Sequence, residues 1–108
     1  MTIRNIDMAK KIWMHDKLVD AEDAKISVFD HGLLYGDGVF EGIRVYNGKI
    51  FEFDAHLDRL YRSANTIRLD IGMDNDTLAA AVRQTVEATD ISNGYIRLIV
   101  TRGIGTLG

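Results

Sequence analysis

The stretch VFEGIRVYNGKIFEF, Val39 to Phe53, leaves the chain few ways to fold. A period of two places Val39, Glu41, Ile43 and Val45 on one face of a strand and Phe40, Gly42, Arg44 and Tyr46 on the other. Asn47-Gly48 follows at once, and both residue types tolerate the positive φ of a type I′ turn. Lys49–Phe53 then reads as the returning partner strand. Two strands joined by so short a turn must be antiparallel, because a parallel pair needs a long crossover.

The rest of the chain arranges itself around that hairpin. Lys11–Asp20 carries two short apolar runs around His15-Asp16-Lys17, the pattern of a small hairpin. Ala21–Lys25 is a charged connection, and Ile26–Phe29 is β-branched and aromatic enough to suggest a short strand. Asp54 has the character of a helix N-cap, with Leu57, Leu60, Tyr61, Ala64 and Ile67 forming a helical stripe behind it. A second helix is expected from near Asp74 or Asp76, with the stripe Leu78, Val82, Thr85, Val86 and Thr89. Ser92-Asn93-Gly94 is a turn, and Tyr95–Gly103 alternates again, with Tyr95, Arg97, Ile99 and Thr101 on one face. The closing GIGTLG reads as a flexible tail. The fold class is therefore α+β, an antiparallel sheet with two helices, and 108 residues suit one small domain, 1–108.

Composition narrows the function classes. The net charge of −3 argues against general nucleic-acid binding, which goes with a basic excess. With no cysteine there is no disulfide framework and no thiolate metal site, which suits a reducing cytoplasm. No apolar run approaches the ~18 residues of a membrane helix, and MTIRNIDMAKKIW lacks the continuous apolar core of an export signal.

Four glycines crowd HGLLYGDGVFEG, and GDG resembles part of a dinucleotide-binding loop. That loop requires a helix after it, whereas a strand follows here. Gly42, between Phe40 and Arg44 on a strand face, instead suits close approach by a ligand or by backbone. Arg44, Arg59 and Arg97 lie within apolar or ordered segments. Singly each reads as a surface charge on a snorkelling stem. Together, beside Phe40, Tyr46 and Tyr95, they read as a site for carboxylate or phosphate. His15, His31 and His56 lack metal-ligand spacing, and neither Ser27 nor Ser63 sits in a nucleophile elbow. Asp37 and Glu41 could act as a carboxylate pair but read first as solvated loop residues. The residues alone stop at an anion-binding pocket and name no reaction.

FDHGLLYGDGVFEGIRVYNGKIF, HLDRL and YIRLIVTRG, in this order and spacing, resemble the class IV pyridoxal-phosphate aminotransferases, which share the D-amino-acid aminotransferase-like fold. Within them, FEGIR at Phe40–Arg44 is most similar to the branched-chain-amino-acid aminotransferases. The resemblance implies the N-terminal small domain of that fold. The complete enzyme would move an amino group between leucine, isoleucine or valine and 2-oxoglutarate through pyridoxal 5'-phosphate, as a cytoplasmic homodimer. It implies that Arg59 holds the cofactor phosphate and that Tyr35, Phe40 and Gly42 line the substrate side-chain pocket. It further implies that Tyr95 and Arg97 lie near the substrate carboxylate, that Arg44 is another pocket arginine, and that Gly103–Gly108 belongs to a loop directed at a neighbouring subunit. The family's Schiff-base lysine lies downstream of TRG, in a C-terminal domain absent from this chain. None of Lys10, Lys11, Lys17, Lys25 and Lys49 matches it, so the chain alone is expected to be inactive. The alternatives are a D-amino-acid aminotransferase or aminodeoxychorismate lyase of the same fold, or a non-catalytic module that self-associates.

Overall fold

A computed structural model describes residues 10–107. The elements, in chain order, are β1 (Lys11–Met14), β2 (Lys17–Asp20), α1 (His31–Tyr35), β3 (Gly38–Tyr46), β4 (Lys49–Ile50), α2 (Phe53–Thr66), α3 (Asn75–Thr89) and β5 (Gly94–Thr101). They form two compact units. One comprises the described residues up to Lys25 together with Asn75–Ile91, and the other comprises Ile26–Asp74 together with the segment from Ser92 onward.

In the first unit β1 and β2 pair antiparallel, with Trp13 opposite Leu18 and Met14 opposite Lys17. The two residues between them, His15 and Asp16, both take positive φ, 53° and 64°. That is type I′ geometry, built here without glycine. Lys11 Nζ meets the Asp20 carboxylate across the pair. Helix α3 buries Leu78, Ala79, Ala81 and Val82. It is tied to β1 where the Lys11 amide donates to Thr89 Oγ1 at 3.2 Å.

In the second unit β3 is the central strand, with β4 on one side and β5 on the other, all antiparallel. The Asn47-Gly48 turn has the expected positive φ at both positions, 51° and 75°. The returning strand is shorter than expected: only Lys49 and Ile50 pair, and the chain bends at Phe51-Glu52 into α2. Strand β3 alternates as its sequence requires. Glu41, Ile43 and Val45 are buried, while Phe40, Arg44 and Tyr46 are exposed. Helix α2 packs on the buried face through Phe53, Leu57, Leu60 and Ala64. Its N-cap is Glu52, in a left-handed conformation at φ 52°, and Asp54 lies inside the first turn instead of capping it. A carboxylate there still complements the positive end of the helix. Ile67 falls at the C-cap and stays exposed; the apolar contact passes to Leu69, which is buried.

Two further expectations are corrected. Ile26–Phe29 forms no strand; Phe29 belongs to a turn whose amide bonds Ser27 Oγ. A short helix, α1, follows. Asp30 caps it by accepting from the Gly32 amide at 2.7 Å, and Gly36, at φ 66°, ends it. The glycine-rich tail is docked, not loose: Ile104 bridges Asp30, the His31 amide donates to the Gly103 carbonyl at 2.8 Å, and His31 Nε2 lies 3.1 Å from the Thr106 carbonyl. Among the described residues no helix is long and apolar enough to cross a membrane.

Candidate functional site

The register of β3 and β5 decides which side chains share a face. Arg44 lies opposite Tyr95, Gly42 opposite Arg97, and Phe40 opposite Ile99. Because cross-strand partners point the same way, these six residues occupy the face of the sheet away from α2. Phe40 and Tyr95 remain more than half exposed there. The Arg97 guanidinium lies 3.8 Å from the centre of the Phe40 ring, within cation–π range, and its Nη1 is 3.4 Å from the Tyr95 hydroxyl.

Gly42 makes that arrangement possible. A Cβ built on it would stand 2.2 Å from the Tyr95 hydroxyl and 2.9 Å from its Cζ. The Tyr95 ring therefore leans diagonally across the strand and rests over Gly42. The sequence suggested room for a ligand or a backbone; in this conformation the room holds a neighbouring side chain. Phe40, Gly42, Tyr95 and Arg97 thus form one contiguous surface, with Arg44 at its Tyr95 end.

Arg59 is not part of that surface, so the expected grouping of three arginines is not what the fold assembles. It projects from α2 and meets Glu41, on the opposite face of β3. Arg59 Nε donates to Glu41 Oε2 at 2.9 Å, and Nη2 donates to Oε1 at 2.8 Å. His56, one turn earlier on α2, places Nδ1 2.7 Å from the same Oε1. An ionised carboxylate only accepts, so Nδ1 carries the proton. The Glu41 side chain is 3% exposed and that of Arg59 is 59% exposed. Hydrogen bonding from Arg59 holds the Glu41 carboxyl below its ordinary range; burial opposes this, and His56 adds to it. The same fork raises Arg59 above the usual guanidinium value. The fork uses two of the five N–H donors of Arg59, leaving three on its open side.

Glu41 is the residue the sequence reading mistook. Alternation already set it among Val39, Ile43 and Val45, and a carboxylate on an apolar face needs a cation beneath it. His56 and Arg59, three apart on one helix, supply the donors. Asp37 is likewise engaged: Arg102 Nε donates to its Oδ2 at 2.7 Å and Nη2 to its Oδ1 at 3.2 Å. That bond lowers the Asp37 carboxyl from its ordinary value. Arg102 also donates to the carbonyls of Ile67, at 2.8 Å, and Arg68, at 3.1 Å, closing the C-terminal end of α2. Tyr35 stands apart on α1, its ring edge-on to His31 at 5.0 Å.

Residues 38–108 match the family model for class IV amino-transferases. Over 98 residues the chain is 52% identical to a protein of Methanocaldococcus jannaschii assigned as a branched-chain-amino-acid aminotransferase, covering 91% of this chain and 34% of that protein. It is 44% identical over 94 residues to the D-alanine aminotransferase of Listeria innocua, covering 87% of this chain and 32% of the relative. Among solved structures it is similar to a T.th. branched-chain amino acid aminotransferase complexed with N-(5'-phosphopyridoxyl)-L-glutamate. There the TM-score is 0.86 and the identity 37%, over 92% of this chain and 35% of that one. The chain spans about a third of the length of the curated relatives it matches.

Proposed function

This chain belongs to the class IV aminotransferase family, and from that premise we propose that it is the N-terminal small domain of a branched-chain-amino-acid aminotransferase. The intact enzyme would transfer an amino group between leucine, isoleucine or valine and 2-oxoglutarate. The observation that carries this reading is the 52% identity, across nearly the whole chain, to the Methanocaldococcus jannaschii relative.

The donor chemistry of the site fits pyridoxal 5'-phosphate. A phosphate monoester asks for a fixed cation and several N–H donors. Arg59 offers a guanidinium whose orientation is already fixed by the Glu41 fork, with three donors to spare. When bound, the cofactor supplies the electron sink for breaking bonds at the amino-acid α-carbon. The chain's own residues bind and orient. In this reading Arg59 holds the phosphate, and Arg97 and the Tyr95 hydroxyl meet the substrate carboxylate. Tyr35 and Phe40 shape the side-chain pocket, Gly42 keeps its floor low, and Arg44 borders it. Tyr95 would then turn off Gly42 as substrate enters. Lys11 is engaged with Asp20, and we assign no proton transfer to any lysine of this chain.

We place the intact enzyme in the cytoplasm as a homo-oligomer. Supporting association, Val28, Phe29, Leu33, Ile104 and Leu107 are all more than half exposed around α1 and the docked tail. Apolar patches of this kind mark surfaces that partners cover. A substrate panel on the intact enzyme tests the function. Turnover of L-branched amino acids with 2-oxoglutarate is expected. Turnover confined to D-alanine would favour the second reading, which the 44% identity to the Listeria innocua enzyme keeps in view.

A further inference from the structure

We propose that Glu41 is a positioning residue that presets the Arg59 guanidinium for anion capture, an inference that rests on the reading of Arg59 as the phosphate-holding cation. The geometry is that of a bracket. Glu41 is anchored in the buried face of β3 beside Ile43 and Val45, so its carboxylate has little freedom. His56 and Arg59 both bond Oε1, and Arg59 alone bonds Oε2. Rotation of the carboxylate would break at least one of these three contacts. The side-on fork through Nε and Nη2 fixes the plane of the guanidinium, not merely its position. A long side chain that is 59% exposed would otherwise sample many rotamers and lose that freedom when an anion binds.

Two effects of the carboxylate oppose each other, which gives the inference a sign. Its negative charge cancels part of the attraction between Arg59 and an anion. Its hydrogen bonds hold the donors in place. The charge acts on an anion only from behind the guanidinium, at longer range than the contact donors and through a side chain that is 59% exposed, where the effective dielectric is high. The hydrogen bonds act at contact and are not screened. Positioning therefore outweighs repulsion, and loss of Glu41 weakens anion binding.

The test compares binding of pyridoxamine 5'-phosphate with that of pyridoxamine in the intact protein, by equilibrium dialysis. The ratio of the two affinities isolates the phosphate. Arg59→Ala is expected to collapse the ratio; if it does not, the reading of Arg59 falls and this inference with it. Glu41→Gln keeps the shape and removes the charge. It is expected to lower the ratio about fivefold, the order set by immobilising one long side chain. In the Arg59→Ala background Glu41→Gln is expected to change nothing further. A ratio that rises or stays constant in Glu41→Gln, while Arg59→Ala collapses it, overturns the inference and leaves the reading of Arg59 standing. Should Glu41→Gln fail to fold, hydrogen exchange at Arg59 Nε in the unsubstituted protein decides. Protection well beyond that of Arg62, exposed on the same helix, supports positioning, and exchange as fast as Arg62 overturns it.

Discussion

Glu41 and Arg59 meet side-on, Oε2 to Nε at 2.9 Å and Oε1 to Nη2 at 2.8 Å, with the acid buried and the base largely in solvent. The pair is therefore unequal. Removing the arginine leaves a carboxylate inside the protein with His56 as its remaining hydrogen-bond partner. Removing the acid leaves a guanidinium that water can solvate. An uncompensated buried charge is the costlier remnant. Arg59→Ala is accordingly expected to lower the denaturant midpoint more than Glu41→Gln does. The reverse order would show that Glu41 draws its stability from elsewhere.

The same pair makes stability depend on pH. The folded-state carboxyls of Glu41 and Asp37 are lowered, each first by its arginine. Their contribution is thus complete above the ordinary carboxylate range, about pH 4–4.5. It is lost as pH falls through the lowered folded-state values. Stability is expected to decline on acidification below that range. The decline should be shallower in Glu41→Gln, which keeps only the Asp37 share. Equal slopes in chemical denaturation across pH would contradict this account.

Two glycines of β3 are expected to respond differently to alanine. A Cβ on Gly38 would lie 2.6 Å from the Val100 carbonyl oxygen, which is backbone and cannot turn away. A Cβ on Gly42 would press first on the Tyr95 ring, its three nearest atoms all lying there, and that ring is exposed and can swing. Gly38→Ala should cost about 1–3 kcal/mol, the range for overpacking a filled site. Gly42→Ala should stay within about 1 kcal/mol while shifting the Tyr95 ring resonances in an NMR spectrum. A silent Tyr95 would mean that the ring does not rest on Gly42.

Arg102 joins the start of β3 to the end of α2 through Asp37 and the carbonyls of Ile67 and Arg68. Lysine keeps the charge but cannot reproduce a planar fork serving three partners. Arg102→Lys is therefore expected to speed amide exchange over the last turn of α2, with the first turn unaffected. Uniform exchange along α2 would count against a local fastening.

The turn of the first unit places His15 and Asp16 at positive φ, where a side chain is strained. Glycine at the second position relieves that strain and restores the residue preferred in such turns. Its greater unfolded-state freedom offsets part of the gain. Asp16→Gly should stabilise by about 0.5 kcal/mol, read as a raised denaturant midpoint. Destabilisation would indicate a role for the Asp16 side chain.

The parts of the fold that were legible in advance are those governed by local rules. Alternation and Asn47-Gly48 specified the β3 face and its turn, and the 3.6-residue stripe specified α2 and α3. What stayed hidden depends on distant partners. Ile26–Phe29 has the composition of a strand, but among the described residues only its end meets the tail, where the Phe29 carbonyl accepts from the Gly105 amide at 3.4 Å. His31–Tyr35 is too short for any period to register, and it depends on the Asp30 cap and on contacts with the tail. At the site, the sequence marked Phe40, Gly42, Tyr95 and Arg97, which do come together. It grouped Arg59 with them because type and proximity along the chain say nothing about which side of a sheet a helix covers. The role of Glu41 was written in the alternation itself, yet its charge suggested solvent. Only the placement of α2 brings His56 and Arg59 to it.

Phe40, Glu41 and Gly42 are consecutive, yet the pleat sends the outer two to the open face and the middle one inward. Both halves of the proposed site are thus threaded on one strand with a half-turn between neighbours. A substitution there alters one side chain and leaves the facing of its neighbours intact. A single-residue insertion or deletion instead turns the aromatic inward and the acid outward in the same step. The length of this segment is therefore held as tightly as its letters, and a one-residue insertion or deletion between Gly38 and Tyr46 should disrupt the packing and the site together.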